Sequence, residues 1–447
     1  MSEVPVTADP GETPVGAGVG TADLTLDAAA ATADVPPELL AQSLGQYFHA
    51  SWLRVRGGNA GVLPVLLALL VVAIGFQIAN SKFLGAQNLV NLFEQSSIYM
   101  LLAIAEIFAL LLGEIDLSVG LVMGLSSVVV AELVQPTGAD WPWWAAIIAA
   151  LVASTAFGAV QGTLVARLRM PSFIVTLGGL LILEGVAIIV LGGSLVGIGN
   201  SQYANESFLY NIFWGSFNPV VSWILLAVVV GAAATGLWLR ESRKHRRHLE
   251  TEPRSLTAMK IVLIAVAGIA VVAICNVNRA HVGTIDGIPY IIPIVLVVLV
   301  VSTALLQRTR FGRYVYAIGG NPEAARRAGV RLPVIRTWCF ALSGLISGIA
   351  GVLFASWQVS ITTNIIKASN NYVLLAVAAA VIGGTSLFGG RGKTIHGVLG
   401  GLVIGGIYNG LYLLGVSSQW IDVAVSAVLI AAAVIDVLSR RGAPGSA

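Results

Sequence analysis

Carboxylates set inside apolar runs are the residues of this chain best placed to do chemistry. Glu94, Glu106, Glu114, Asp116, Glu184, Asp422 and Asp436 lie within or beside such runs. A charge in hydrocarbon is costly, so an acid placed there marks a transport path, a gate, a proton relay or a buried hydrogen bond. Glu106 and Glu184 lie deepest, where a pathway role and a hydrogen bond between helices are both open readings. Glu114 and Asp116 stand in the stretch Gly113-Glu114-Ile115-Asp116-Leu117-Ser118-Val119-Gly120. Asp and Ser ahead of an apolar run suit a helix N-cap; a gate or a place in a substrate path is the other reading. His396, near the end of a run, reads as interfacial.

Other chemistry is scarce. Gly392-Lys393-Thr394 ends like a P-loop, but Leu387 stands where the first glycine belongs and no strand precedes it. The segment reads as a glycine-rich turn that does not bind ATP. Cys275 and Cys339 have no metal-ligand spacing. No nucleophile–base pair is found either, so no catalytic residue, metal or other cofactor is expected in this chain.

Residues 319–331 carry a different pattern. Asn321 can cap a helix, Pro322 suits its first turn, Glu323 favours the positive end of the helix dipole, and Gly329 ends it. The result is a short helix of about two turns. Ala324 and Ala325 would permit close approach by another surface. A solvated basic loop, or a patch held by anionic lipid, is the alternative.

The elements that position these residues follow from composition. The chain has 447 residues, 57% hydrophobic and 11% charged, with mean hydropathy +0.87. Soluble domains are about 25% charged. That excludes an ordinary soluble enzyme, a nucleic-acid binder working through a basic surface, and a disordered chain. Twelve apolar runs fit bilayer-spanning helices, near 61–79, 92–112, 117–135, 143–165, 171–192, 219–239, 257–275, 289–306, 335–356, 371–388, 395–414 and 419–438. The expectation is an all-α polytopic membrane protein with 10–12 spans. With both termini cytoplasmic, 22 of the 25 Lys and Arg fall inside and only Lys82, Arg279 and Lys367 outside, as the positive-inside rule requires. Cys275 and Cys339 then lie at opposite faces, so no disulfide is expected.

Residues 1–58 read as a disordered acidic cytoplasmic tail, residues 59–441 as the membrane domain, and 442–447 as a short tail. Within the domain stand a basic insert at 240–256 and a cytoplasmic loop at 307–334. No segment is large enough to hold a soluble catalytic core, so any energy source lies elsewhere. The gaps at Gly113–Asp116 and Gly389–Lys393 are either turns or re-entrant breaks. The stretches 112–120 and 382–390, both glycine-rich after a span, could mark two related halves.

Four motifs, GEIDLSVG at 113–120, PSFIVTLGG at 171–179, FGRYVYAIGGNPEAARRAGV at 311–330 and AAVIGGTSLFGGRG at 379–392, resemble the permease subunits of bacterial monosaccharide ABC importers in residues, order and spacing. The resemblance covers roughly 60–440. Glu114 and the extra length around 193–290 are similar to the xylose-type members. What the resemblance implies is a multi-pass permease of the bacterial inner (plasma) membrane, paired with a second copy. Its partners would be a cytoplasmic ATP-binding subunit, which uses ATP and Mg, and an extracytoplasmic sugar-binding protein, with no nucleic acid involved. Residues 319–331 would be the helix that couples to the ATPase, through Gly320, Asn321, Glu323, Ala324, Ala325 and Gly329. Gate or pathway candidates are Glu114, Asp116, Glu184, Asn371 and Asn409. For the sugar path the candidates are Gln161, Asn370, Asn371, Tyr408, Asn409 and Tyr412, each of which could equally bind helix to helix. Ribose, arabinose or galactose permeases are the near alternatives. A proton- or sodium-coupled symporter using Glu106 or Glu184 is the alternative of another class.

Overall fold

The computed structural model describes residues 61–199, 202–246, 254–280 and 283–441. The acidic tail, the tip of the basic insert and residues 442–447 lie outside them. The described residues form fifteen helices and one two-stranded ladder. In chain order the helices are α1 (Leu63–Ala79), α2 (Ala86–Leu110), α3 (Val119–Val134), α4 (Trp143–Arg167), α5 (Ser172–Leu191), α6 (Ala204–Trp214), α7 (Pro219–Arg246), α8 (Arg254–Cys275), α9 (Ile291–Arg308), α10 (Arg310–Gly320), α11 (Pro322–Arg327), α12 (Leu332–Gln358), α13 (Thr363–Ile382), α14 (Thr394–Leu413) and α15 (Ser418–Arg441). Strand β1 (Val196–Gly197) pairs antiparallel with β2 (Ser360–Ile361).

Each of the twelve apolar runs falls on one helix. Nine helices among the described residues are long and apolar enough to cross a membrane. The shorter apolar helices α1 and α3 have 17 and 16 residues. Large apolar side chains stand exposed along the outside of the bundle, Ile78 at 82% and Ile189 at 78% among them. Such a surface suits lipid, not water.

Residues 233–246 and 254–262, the ends of α7 and α8 at the basic insert, form a compact unit of their own. In it Lys244 pairs with Glu241 at 3.3 Å, and Arg240, Arg243 and Arg246 are exposed. The described remainder is the second unit, and its core is α2. From Ser96 to Leu110 every residue of α2 is buried, the mark of a helix enclosed on all sides.

Glycine sets the helix spacing. α2 and α14 run antiparallel, and a Cβ on Gly405, Gly401 or Gly397 would strike Ser96, Met100 or Ile104. α4 and α12 do the same, with Gly158 against Phe340 and Gly162 against Thr337. With little hydrophobic drive between helices in lipid, such close backbone approach supplies the packing energy.

The helices α2, α3 and α4 pack as α12, α13 and α14 do. α2 lies on α14 as α12 lies on α4, and α3 lies on α12 as α13 lies on α2. The two triplets run in opposite directions, because the C-terminal end of α2 meets the N-terminal end of α12. This corrects the register expected from sequence. The segment 111–118 corresponds in packing to 359–362, not to 382–390. Segments 111–118 and 383–393 share glycine because they meet at one end of the bundle, where Gly390 N–H donates to Leu111 O at 3.0 Å. Both are irregular turns joining adjacent helices. Gly113 and Gly384 have φ of +77° and +108°, and the next amide reaches back five residues in each case, the Schellman way of ending a helix.

Helix α13 starts at Thr363, eight residues before the apolar run that signalled it, and stops at Ile382. The Thr362 side chain caps it by accepting from Ile365 N–H. Its first turns, with Lys367, Ser369, Asn370 and Asn371, look like loop in sequence. In the fold Ser369 Oγ donates to Ile365 O and Asn370 Nδ2 donates to Glu184, while Asn370 Oδ1 is buried without a hydrogen-bond partner. Helix α6 lies within the loop that shows no apolar run. It is fastened by Trp214 Nε1 donating to Ser356 O at 3.1 Å and by Phe213 stacking on Trp357.

Candidate functional site

At the end of the bundle away from segments 111–118 and 383–393 lies a cavity of about 680 Å³. Small-molecule sites occupy about 300–1,000 Å³. α2 gives it Asn88, Asn91, Gln95 and Tyr99, spaced three, four and four residues apart and therefore on one helix face. α13 adds Asn371 and Tyr372, and α14 adds Tyr408, Asn409 and Tyr412. Asn88 Nδ2 donates to Asn409 Oδ1 at 2.8 Å and to Phe83 O at 2.9 Å. Tyr408 OH donates to Asp422 Oδ1 at 2.9 Å. The floor is aromatic: Tyr99 stacks between Tyr372 at 5.5 Å and Tyr408 at 5.7 Å, and Phe354 meets Tyr372 edge-on. Among the described residues lining the cavity there is no Lys or Arg.

Four of the six residues expected on a polar-ligand path therefore line one cavity: Asn371, Tyr408, Asn409 and Tyr412. The other two do not. Asn370 Nδ2 donates to Glu184 Oε2 at 2.9 Å, joining α13 to α5. Gln161 lies in a second polar cluster at the other end. Sequence reading missed Asn88, Asn91, Gln95, Tyr99 and Tyr372. The polar stripe on α2 is the available signal, but the apolar run that marks this helix begins at 92, inside the stripe.

The second cluster surrounds segment 113–118. Asp116 Oδ1 accepts from Ser118 N–H at 3.0 Å and from Ser118 Oγ at 2.6 Å. Ser343 Oγ of α12 donates to Asp116 Oδ2 at 2.9 Å. Asp116 is thus no cap for the amides inside α3; it holds the turn before α3 and ties it to α12. Glu106 Oε1 accepts from Asp116 N–H at 3.2 Å, while Glu106 Oε2 has no hydrogen-bond partner. Gln161 Oε1 lies 2.9 Å from Ser118 Oγ and its Nε2 is unpartnered. Turning the amide over lets Nε2 donate to Ser118 and leaves the serine proton for Asp116. Glu114 pairs with Arg336 of α12 at 3.5 Å. Of the gate or pathway candidates, Glu114 and Asp116 share this cluster, Asn371 and Asn409 share the cavity, and Glu184 stands with neither. His396, expected at an interface, is buried, with Nδ1 accepting from Lys393 N–H at 3.3 Å. Thr394, the last residue of the P-loop-like triplet, is buried 2.5 Å from Thr303 Oγ1.

On the same end as the second cluster stands α11. Asn321 Oδ1 accepts from Ala324 N–H at 3.0 Å, Pro322 opens the helix, and Arg326 pairs with Glu323 at 2.7 Å. Gly329 follows with φ +83°. Asn321, Glu323, Ala324 and Gly329 are exposed, but Ala325 is buried at 4% and belongs to the core. Ala325 anchors the helix from within, and its side chain is not on the open face. Asn321→Ala should destabilise α11 by about 1 kcal/mol. Hydrogen exchange at the Ala324 amide should then quicken roughly fivefold; an unchanged rate would show that the cap contributes nothing.

A bundle of lipid-facing helices, with a polar cavity at one end and a capped cationic helix at the other, defines a membrane permease. The chain belongs to the family described as branched-chain amino acid transport system / permease component, whose model matches residues 88–434. It is a multi-pass protein of the inner (plasma) membrane. The xylose transport system permease protein of Haemophilus influenzae is 32% identical over 402 residues, covering 87% of this chain and 99% of that protein. Its counterpart in Escherichia coli K12 is 31% identical over 386 residues, 86% of this chain and 93% of that protein. The ribose import permease protein of Escherichia coli K12 is 29% identical over 391 residues, 88% of this chain and 96% of that protein. No solved structure matches the chain.

Proposed function

We propose that this chain forms the translocation path of an ATP-driven importer for a neutral monosaccharide, D-xylose, with ribose as the next substrate to test. The observation that carries the reading is the lining of the cavity. Amides of Asn88, Asn91, Gln95, Asn371 and Asn409 offer donors and acceptors together, and tyrosine faces offer stacking surfaces. A polyol with several hydroxyls on an apolar ring underside fits that set. An amino acid does not. Its carboxylate would meet no cation among the described lining residues, while Asp422 among them adds a like charge. The xylose and ribose permeases among the relatives support the same choice.

In this reading the cavity faces outward, toward an extracytoplasmic sugar-binding protein. α11 faces the cytoplasm and docks a separate ATPase subunit through Gly320, Asn321, Glu323, Ala324 and Gly329. ATP and Mg act there and not in this chain. A second copy of the permease completes the assembly. Nucleotide bound to the ATPase biases an equilibrium between two states of the helices. The test is uptake of labelled D-xylose in cells lacking the chain and in cells with it restored, repeated after the proton gradient is collapsed with ATP kept high. Restored uptake that survives the collapse is expected. Uptake that vanishes with the gradient would replace the reading by a symporter. Uptake of ribose alone would keep the mechanism and change the sugar.

A further inference from the structure

We propose that the backbone junction of Gly319, Leu111 and Gly390 is the linkage through which α11 moves the cavity. The inference rests on α11 being the ATPase dock. Gly319 stands two residues before Asn321, the cap of α11. A Cβ on Gly319 would run into Leu111 O and the backbone of Gly390. Gly390 N–H in turn donates to Leu111 O at 3.0 Å. Gly389 lies against Gly113 and Gly319 O, with φ +87°. Three chain segments therefore touch backbone to backbone, with no side chain between them to absorb a displacement.

A second tie runs beside the junction. Tyr316 OH, one turn earlier in α10, donates to Gly392 O at 2.8 Å. Burial raises the Tyr316 phenol above its ordinary range, so it remains a donor. The Glu114–Arg336 pair adds the start of α12 to the same assembly.

Each of the two segments that Gly319 abuts adjoins helices that line the cavity at their other end. Leu111 follows α2, which carries Asn88, Asn91, Gln95 and Tyr99. Segment 383–393 joins α13, with Asn371 and Tyr372, to α14, with Tyr408 and Asn409. α2 is buried on every face from Ser96 to Leu110, and close-packed interiors pass on displacement instead of soaking it up. A shift of α11 is thereby delivered to three cavity helices at once. Gly319 is a positioning residue: it touches neither sugar nor nucleotide.

The test uses the complete assembly of permease, ATPase and binding protein in lipid nanodiscs. Asn91→Cys reports on the cavity, where Asn91 is exposed; Cys275 and Cys339 are buried. In the Asn91→Cys chain, the reference for this test, the rate at which a bulky thiol reagent labels position 91 should differ about tenfold between the nucleotide-free and ATP-trapped assemblies. In Gly319→Ala the ATPase should still copurify, and the nucleotide-dependent difference should shrink to within about twofold, because a methyl group wedges the junction in one arrangement. Gly185→Ala, where an added Cβ meets nothing within 4 Å, should behave as the reference. A Gly319→Ala assembly that keeps the tenfold difference overturns the linkage. A reference chain that retains no ATPase overturns the reading of α11 instead. If Gly319→Ala is not recovered folded, Tyr316→Phe decides the matter. It adds no bulk, and the linkage requires it to reduce the nucleotide-dependent difference at least about threefold through loss of the Gly392 tie alone.

Discussion

Gly158→Leu is expected to leave the chain unable to hold its bundle together. Gly158 is where α4 crosses α12. A Cβ there would strike Phe340 O, with the Phe340 carbonyl carbon at 3.1 Å and Gly344 Cα at 3.2 Å. The obstacle is main chain on a buried helix, which has no rotamer to turn aside. Overpacking a core costs about 1–3 kcal/mol when side chains can yield. Here they cannot, so the expected loss is at least about 3 kcal/mol. It would be read as the fraction of detergent-solubilised protein that stays monodisperse after heating. Gly185→Leu on α5 is the matched control, since an added Cβ there meets nothing within 4 Å. Its stability should stay within about 0.5 kcal/mol of the parent. If Gly158→Leu survives heating as the control does, α4 and α12 are not in backbone contact.

Asn409→Leu should reduce sugar uptake about a hundredfold while leaving membrane insertion unchanged. Asn409 contributes to the cavity and accepts from Asn88 Nδ2. Leucine removes a hydrogen-bonding partner for the ligand and leaves Asn88 with Phe83 O alone. Each buried polar group deprived of a partner costs about 1–3 kcal/mol, and two such losses account for the factor. The loss should appear in both maximal rate and half-saturation, while the ATPase still copurifies. Uptake within about twofold of the parent would remove Asn409, and with it the cavity, from the sugar path.

The long helices were legible because each is an uninterrupted apolar run, and hydrophobic length is a strong signal. α11 was legible too: Asn321, Pro322, Glu323 and Gly329 form a local pattern whose meaning does not depend on distant residues. The cavity was half legible. Asn371, Tyr408, Asn409 and Tyr412 stood out as polar groups in apolar surroundings, but what each one faces is decided by partners far along the chain. Asn370 and Asn371 are neighbours in sequence, yet one turns to Glu184 on α5 and the other to the cavity. Side-chain direction on a helix changes by about 100° per residue, so the cavity face was open until α2, α13 and α14 were docked. The stripe on α2 was overlooked for a related reason. Its asparagines lower the hydropathy of the very turns that place them, and so pushed the apparent start of the span past them. Ala325 shows the limit for a local pattern. The sequence shows two adjacent alanines on a short helix, and only the packing tells which of them is enclosed.

The Asn88–Asn409 hydrogen bond joins positions 321 residues apart. A ribosome adds about 5–20 residues per second, so α2 is finished roughly 15–60 s before its partner on α14 exists. Through that interval its asparagines, Gln95 and Glu106 have no α14 beside them and no bundle to enclose them. α7 and α8, whose apolar windows are only 6% and 11% buried, can pass into lipid as they emerge. α2, at 83%, is better kept among other protein, in the insertion machinery or against α3 and α4, until the last third of the chain arrives. Truncation before residue 394 should therefore yield a chain that is retained and degraded, although most of its spans are present.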